Sequence, residues 1–159
     1  MESNVSHATE IYPGLWLGDI IAASAKHFLK NKRIHCIFNC TVAMPFTDSK
    51  EVTTRIRVPV KDNLQIDQIY MLYKYLDKIV NIIFKQLQQG HNVLVHCHAG
   101  KQRSVTVIAA FLMKYGDMSK DEAIDTLRTK RSVAALPEIN FDQALIQYEK
   151  MLIELKKNL

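Results

Sequence analysis

The longest periodic pattern in the chain runs from Ile66 to Gln89. There Ile66, Ile69, Tyr73, Leu76, Val80, Ile83 and Leu87 recur at steps of three and four, one apolar stripe down a helix. Gly90 follows, where a left-handed helix terminator is expected. Residues 10–18 read as a short extended segment around a Pro13-Gly14 turn, with a helix predicted over Ile20–Lys30. Ile34–Asn39 is an apolar run of strand length, residues 41–51 read as loop, and residues 53–60 alternate like a strand. Val93–Val95 is a buried-type strand, and Val105–Tyr115 is apolar nearly all round, a central helix stopped by Gly116. Ser119 with Glu122 forms the pattern of a capping box, and Asn140 with Gln143 resembles a second one. The last helix carries Phe141, Leu145, Tyr148, Leu152 and Leu155 on one side. Strands alternating with helices, without an internal repeat or a linker, predict a single layered α/β domain. Its sheet is expected to be central and mostly parallel, with flanking helices.

Composition narrows the class without changing this picture. A chain of 159 residues is one domain in size and buries a real core. No apolar run approaches the ~20 residues of a membrane-spanning helix. The polar first eight residues lack the apolar core of a secretory leader and read as a tail ahead of a domain over residues 9–159. With no targeting signal to read, cytoplasm is the default expectation. Three cysteines, Cys36, Cys40 and Cys97, make no disulfide framework and fit a reducing compartment. Cys36 and Cys40 read as small core residues, with a resolving role toward an oxidised Cys97 as the alternative. Lys plus Arg exceed Asp plus Glu by 21 to 16, too little to indicate a nucleic-acid binder. Between Asp77 and Asp117, however, there is no acidic residue, while Lys78, Lys85, Lys101, Arg103 and Lys114 all fall inside the gap. That gap is either a set of buried elements that exclude carboxylates or a region held positive for an anion.

The chemistry concentrates in VLVHCHAGKQRSVTVIAAF: a buried strand, a turn and an apolar helix. A loop leaving the carboxyl end of a strand and opening a helix is where anions bind in α/β sheets, because free N–H groups point at the ligand. Gly100 lets the loop curl so that successive N–H groups face inward. Arg103, six residues after Cys97, can fork two donors onto phosphate oxygens. Cys97 at the base of such a cradle sits in a positive field that favours the thiolate, a nucleophile aimed at phosphorus. A zinc site from His91, His96, Cys97 and His98 is disfavoured, since adjacent residues of an extended segment point oppositely and no second ligand cluster has the usual spacing. Neither metal nor cofactor is called for.

The turn HCHAGKQRS resembles the His-Cys-x-x-Gly-x-x-Arg-Ser/Thr signature of the cysteine-based protein tyrosine phosphatase superfamily. IYPGLWLGDIIAA, IHCIFNCT, RIRVPVKDN and KRSVAALPEINFDQALIQYEK are similar, in order, to segments of its small dual-specificity branch, so the likeness spans residues 9–155. The resemblance implies a protein tyrosine phosphatase-like fold and assigns roles. Cys97 would be the nucleophile that becomes a phosphocysteine, Arg103 the phosphate clamp and Ser104 the hydroxyl that assists breakdown of the intermediate. His96 would orient the loop. His98, Ala99, Gly100, Lys101, Gln102 and Arg103 would complete the substrate cradle. Asp62 matches the general acid in position, with Asp67 as its rival. Two residues depart from the branch pattern: Gln102 stands where Ser is preferred, and Glu138 follows Pro137 where Asn is usual. The usual Asn braces the phosphate loop, and Asn140 is the candidate substitute.

The resulting expectation is a metal-independent phosphatase for phosphotyrosine and phosphoserine or phosphothreonine in proteins. His98 and Lys101 add basic groups to the loop, which keeps polyanionic lipid (phosphoinositides) or RNA 5′-phosphates as an alternative substrate class. A non-catalytic phosphate-binding module is the alternative from another class, although binding alone requires no thiolate. A sulfurtransferase fits less well, because the step from Cys97 to Arg103 suits a phosphate-sized ring.

Overall fold

A computed structural model of the chain describes residues 6–159. Five strands form one sheet: β1 (Ala8–Tyr12), β2 (Leu15–Gly18), β3 (Ile34–Asn39), β4 (Thr54–Arg57) and β5 (Asn92–His96), in the order β1-β2-β5-β3-β4. Only the β1–β2 hairpin is antiparallel; β2–β5, β5–β3 and β3–β4 are parallel. Alternation along the strands builds two cores. Leu15, Leu17, Phe38, Val93 and Val95 face the larger one, shared with α3 (Ile66–Gln88), α4 (Arg103–Tyr115), α5 (Lys120–Lys130) and α6 (Asp142–Lys157). Ile37 and Leu94 face the smaller one, where α1 (Ile20–Ser24) and α2 (Lys26–Asn31) supply Ala23 and Leu29. Ile34 and Cys36, two apart, nevertheless face opposite cores, because the β3–β5 register shifts between them. The layered, mostly parallel architecture expected from the alternation of strands and helices is the one observed.

Three local expectations are corrected. The helix over Ile20–Lys30 is two helices, because Ala25 is extended (φ −87°, ψ 91°) between them. The strand over residues 53–60 ends at Arg57: Val58 N–H still donates to Asn39 O, but Pro59 has no N–H to continue the ladder. The second capping box does not form. Phe141 occupies the cap position of α6 without a side-chain bond, and the Asn140 side chain points to Asp62 instead. The first box, Ser119 with Glu122, forms in both directions, and Gly90 (φ 79°) closes α3 as the pattern requires.

Most of the acid-free stretch is explained by packing. Every residue of α4 from Ser104 to Met113 is buried. Lys114 Nζ is spent on Asp77 Oδ1 (2.8 Å) and Asn81 Oδ1 (2.9 Å), and Tyr148 Oη donates to the same Asp77 oxygen at 2.7 Å. This cluster ties α3, α4 and α6 together. Burial pushes the Asp77 carboxyl up, but the bonds from Lys114 and Tyr148 outweigh it and hold the group below its ordinary range. Lys78 and Lys85 are exposed on α3. Of the five cations only Lys101 and Arg103 line the cleft at the end of β5. Among the described residues, no helix is long and apolar enough to cross a membrane.

Phe111, 1% exposed, lies in α4 with its ring edge-on to Tyr12 at 5.5 Å. Phe111→Ala is expected to cost about 3–5 kcal/mol in denaturant unfolding, as for large-to-small changes in a tight core. Ile153→Ala, at a position 49% exposed, is expected to stay within about 0.5 kcal/mol. Equal costs at the two sites would contradict the assignment of α4 as the central helix.

Candidate active site

Strand β5 lies in the middle of the sheet and delivers Cys97 at its carboxyl end, and α4 begins six residues later at Arg103. The intervening loop is held from every side. Gly100 has φ +66°, and a Cβ there would sit 2.8 Å from both Gly18 O and Arg131 Nη2, so only glycine fits. His98 O accepts from Ile20 N–H at 3.0 Å, Lys101 O from Ala135 N–H at 2.7 Å, and Gly100 O from Arg131 Nε at 3.0 Å. The Arg131 guanidinium, 3% exposed, also reaches Ser6 O at 2.6 Å, pinning the chain before β1 behind the loop.

Cys97 is 3% exposed, with Sγ 3.1 Å from Ser104 Oγ. Burial pushes its thiol up. The Ser104 hydroxyl, the backbone N–H groups of Ser104 and Gln102, and the charge of Arg103 together outweigh that, so the thiol titrates below its ordinary range. Among the described residues no hydrogen-bond donor lowers Cys36 or Cys40, and at Cys40 the charge of Arg103 does not offset burial. Burial pushes Cys36 up to about 12, and burial with the charge of Cys97 raises Cys40 further. His96, 1% exposed in β5, has Nδ1 3.2 Å from Cys97 O. Its pKa is pulled from 6.5 to about 4, chiefly by burial, so the ring beside the nucleophile is neutral at pH 7.

Asp62, Cys97, His98, Ala99, Lys101, Gln102, Arg103 and Asn140 line one cleft of about 420 Å³. Arg103 Nη1 donates to Val60 O at 2.9 Å, two residues before Asp62, while its Nε is buried with no protein acceptor among the described residues. Asp62 accepts from Asn140 Nδ2 at 2.9 Å. Asp67, the rival acid, sits in the first turn of α3, outside the cleft lining, and accepts from Gln68 Nε2 at 3.3 Å. The brace expected of Asn140 is instead made by Gln102: its Nε2 donates to Leu136 O (3.1 Å) and Glu138 O (2.8 Å), and its Oε1 accepts from Asn140 N–H (3.0 Å). A phosphate-sized anion seated over Cys97 would meet N–H groups, a guanidinium and a carboxyl in one place.

Residues 15–151 match the dual specificity phosphatase catalytic domain. The chain belongs to that family. It is 35% identical over 151 residues to dual specificity protein phosphatase 12 of Mus musculus, covering 94% of this chain and 43% of that protein. It is 34% identical over 146 residues to dual specificity protein phosphatase 1B of Arabidopsis thaliana, covering 91% and 83%. The chain thus spans less than half of the mouse relative and most of the plant one. Among solved structures, a mouse dual specificity phosphatase complexed with zinc tungstate superposes with a TM-score of 0.86 at 27% identity, over 98% of this chain and 95% of that one.

Sequence reasoning missed Arg131 and the role of Gln102. Arg131 closes α5 among other basic residues, and nothing in the sequence sets it apart from Arg128 or Lys130. Gln102 registered as a cradle residue and as a departure from Ser; its length, which lets it cross to residues 136–140, was the available signal for the brace.

Two outcomes are expected. In an NMR titration the His96 ring should remain neutral until about pH 4. The unfolded chain takes up that proton at higher pH, so stability should fall as pH drops from 6.5 toward 4. A His96 inflection near its ordinary value would contradict the buried geometry. At pH 7, iodoacetamide should modify Cys97 and leave Cys36 and Cys40 untouched in the native protein, as peptide mass mapping would show.

Proposed function

We propose that residues 9–159 form the catalytic domain of a cysteine-dependent phosphatase that hydrolyses phosphotyrosine and phosphoserine or phosphothreonine in proteins. The observation that supports it most is the pairing, in one cleft, of a Cys97 thiol held below its ordinary range with an Arg103 whose buried Nε has no protein acceptor among the described residues. A buried N–H left without a partner is costly, and a phosphate oxygen satisfies it. The first step forms a bond from Cys97 Sγ to phosphorus as the bond to the leaving oxygen breaks, and Asp62 protonates that oxygen. In the second step Asp62 takes a proton from water. The water oxygen bonds to phosphorus, and the sulfur departs as the thiolate, accepting from Ser104 Oγ. The loop N–H groups and Arg103 hold the equatorial oxygens throughout. His96, neutral and buried, fixes the backbone beside Cys97. The three unpaired, buried cysteines suit a reducing compartment such as the cytoplasm.

Lys101 and His98 are exposed and line the cleft, and Lys101 has no ion-pair partner among the described residues. These two groups favour a second reading, in which a phosphoinositide or an RNA 5′-end supplies further phosphates. Lys101→Ala separates the readings. It should leave phosphopeptide hydrolysis within about twofold, since an exposed charge pair contributes little. A large loss confined to the polyphosphorylated substrate would favour the second.

With chelator present, the protein should hydrolyse an aryl phosphate, and Cys97→Ser should abolish turnover while retaining oxyanion binding. Binding without turnover in the wild-type protein would instead mark a non-catalytic phosphate module. Asp62→Asn should lower kcat about 10²-fold and remove the basic limb of the pH profile. The same signature from Asp67→Asn would reassign the acid.

A further inference from the structure

The loop bearing Asp62 is long, exposed and short of contacts that fix its carboxyl. Val60 O is held by Arg103, and Lys61 N–H donates to Gln68 Oε1 at 2.8 Å, but these bonds secure only the backbone leading into the acid. Among the described residues only one side chain holds the Asp62 carboxyl in place: Asn140 Nδ2, donating to Oδ1 at 2.9 Å. Asn140 in turn is placed by Gln102, whose Oε1 accepts the Asn140 backbone N–H at 3.0 Å while its Nε2 grips Leu136 O and Glu138 O. Gln102 is 6% exposed and belongs to the phosphate loop, directly before Arg103. An unbroken path of hydrogen bonds therefore runs from the loop that holds phosphate, through residues 136–140, to the carboxyl at the mouth of the cleft.

We propose that Gln102 and Asn140 are positioning residues that fix the general acid relative to the phosphate loop. This rests on Asp62 being the acid. An amide suits the task at both stages of the reaction. Nδ2–H donates to Oδ1 whether Oδ2 carries a proton or not, so one carboxyl oxygen stays tied while the other is free to give and recover the proton. The bond is to a single rotatable side chain at the surface, so its strength depends on how firmly Asn140 itself is seated. Gln102 supplies that seat. The reach of a glutamine, which a serine at the same position lacks, makes the connection possible.

A positioning role predicts a selective loss. Proton donation matters most when the leaving oxygen is a poor leaving group, and little when it departs unaided. Wild type, Asp62→Asn, Asn140→Ala and Asn140→Asp should be compared on a phosphoserine peptide and on an aryl phosphate with an activated phenol. Asn140→Ala is expected to lower kcat about tenfold on the peptide, the loss of one well-placed hydrogen bond, with little change in KM and little effect on the activated aryl phosphate. Asn140→Asp should lose more on the peptide and move the basic limb of the pH profile upward, because a second carboxylate facing Asp62 disfavours its ionised form. Gln102→Ala should give the same leaving-group signature, and the double variant with Asn140→Ala should be no worse on that signature than the poorer single one.

If Asp62→Asn shows the leaving-group selectivity and Asn140→Ala does not, the positioning role is overturned while the phosphatase assignment stands. If Asp62→Asn itself shows none, the acid is misassigned and the inference falls with it. An equal loss on both substrates in Asn140→Ala also overturns it, since that marks general damage to the cleft. Losses that multiply in the double variant overturn the serial path through Gln102.

Discussion

A sulfur that is 3% exposed titrates below its ordinary range although burial acts against it. The same core contains the control. Cys36 and Cys40 are fully buried on and just beyond β3, and burial drives both thiols well above their ordinary range. Cys97 differs because a hydroxyl, two backbone N–H groups and a guanidinium converge on it from residues 102–104. Those donors are useful only where they are held, and much of the surrounding structure holds them: Gly100 curling against Gly18, Arg131 buried behind the loop, and Lys101 O taken by Ala135. A flexible loop would let the N–H groups turn to solvent, and burial would then push the thiol up.

The parallel sheet explains why this cradle lies where it does. Because β2, β3 and β5 run the same way, their carboxyl ends open on one edge, and β5 at the centre is shielded on both sides. The first turn of α4 then brings Arg103 and Ser104 over the sulfur, while the helix onward to Met113 is buried and immobilises its own start. Chemistry at one end and packing along the remainder are properties of one continuous strand–loop–helix unit.

Much of this was readable along the chain, for identifiable reasons. The stripe from Ile66 to Leu87 became α3 within a residue of its expected end, since an amphipathic pattern of that length has no competing conformation. The Cys97–Arg103 spacing indicated the cradle because few residue types serve an anion site. Failures occurred where one residue's partner lies far away in sequence. Asn140 looks like a cap, yet its side chain finds Asp62, 78 residues earlier. Arg131 looks like a surface cation at a helix end, yet it is buried against Gly100 and Ser6. The helix break at Ala25 also had no punctuating Gly or Pro to announce it. Gln102 and Glu138, two departures from the family pattern when taken singly, turn out to touch: the glutamine amide grips the Glu138 carbonyl, so the brace comes from the loop itself.

The most direct test of the account is the ionisation of Cys97 in the free protein, followed by thiolate ultraviolet absorbance with Cys97→Ser as the blank. The wild-type protein is expected to show one thiolate already formed at neutral pH, and Ser104→Ala should move its titration up toward the ordinary thiol range. A Cys97 that keeps its proton until alkaline pH, indifferent to Ser104, would contradict the claim that converging donors overcome burial at this sulfur.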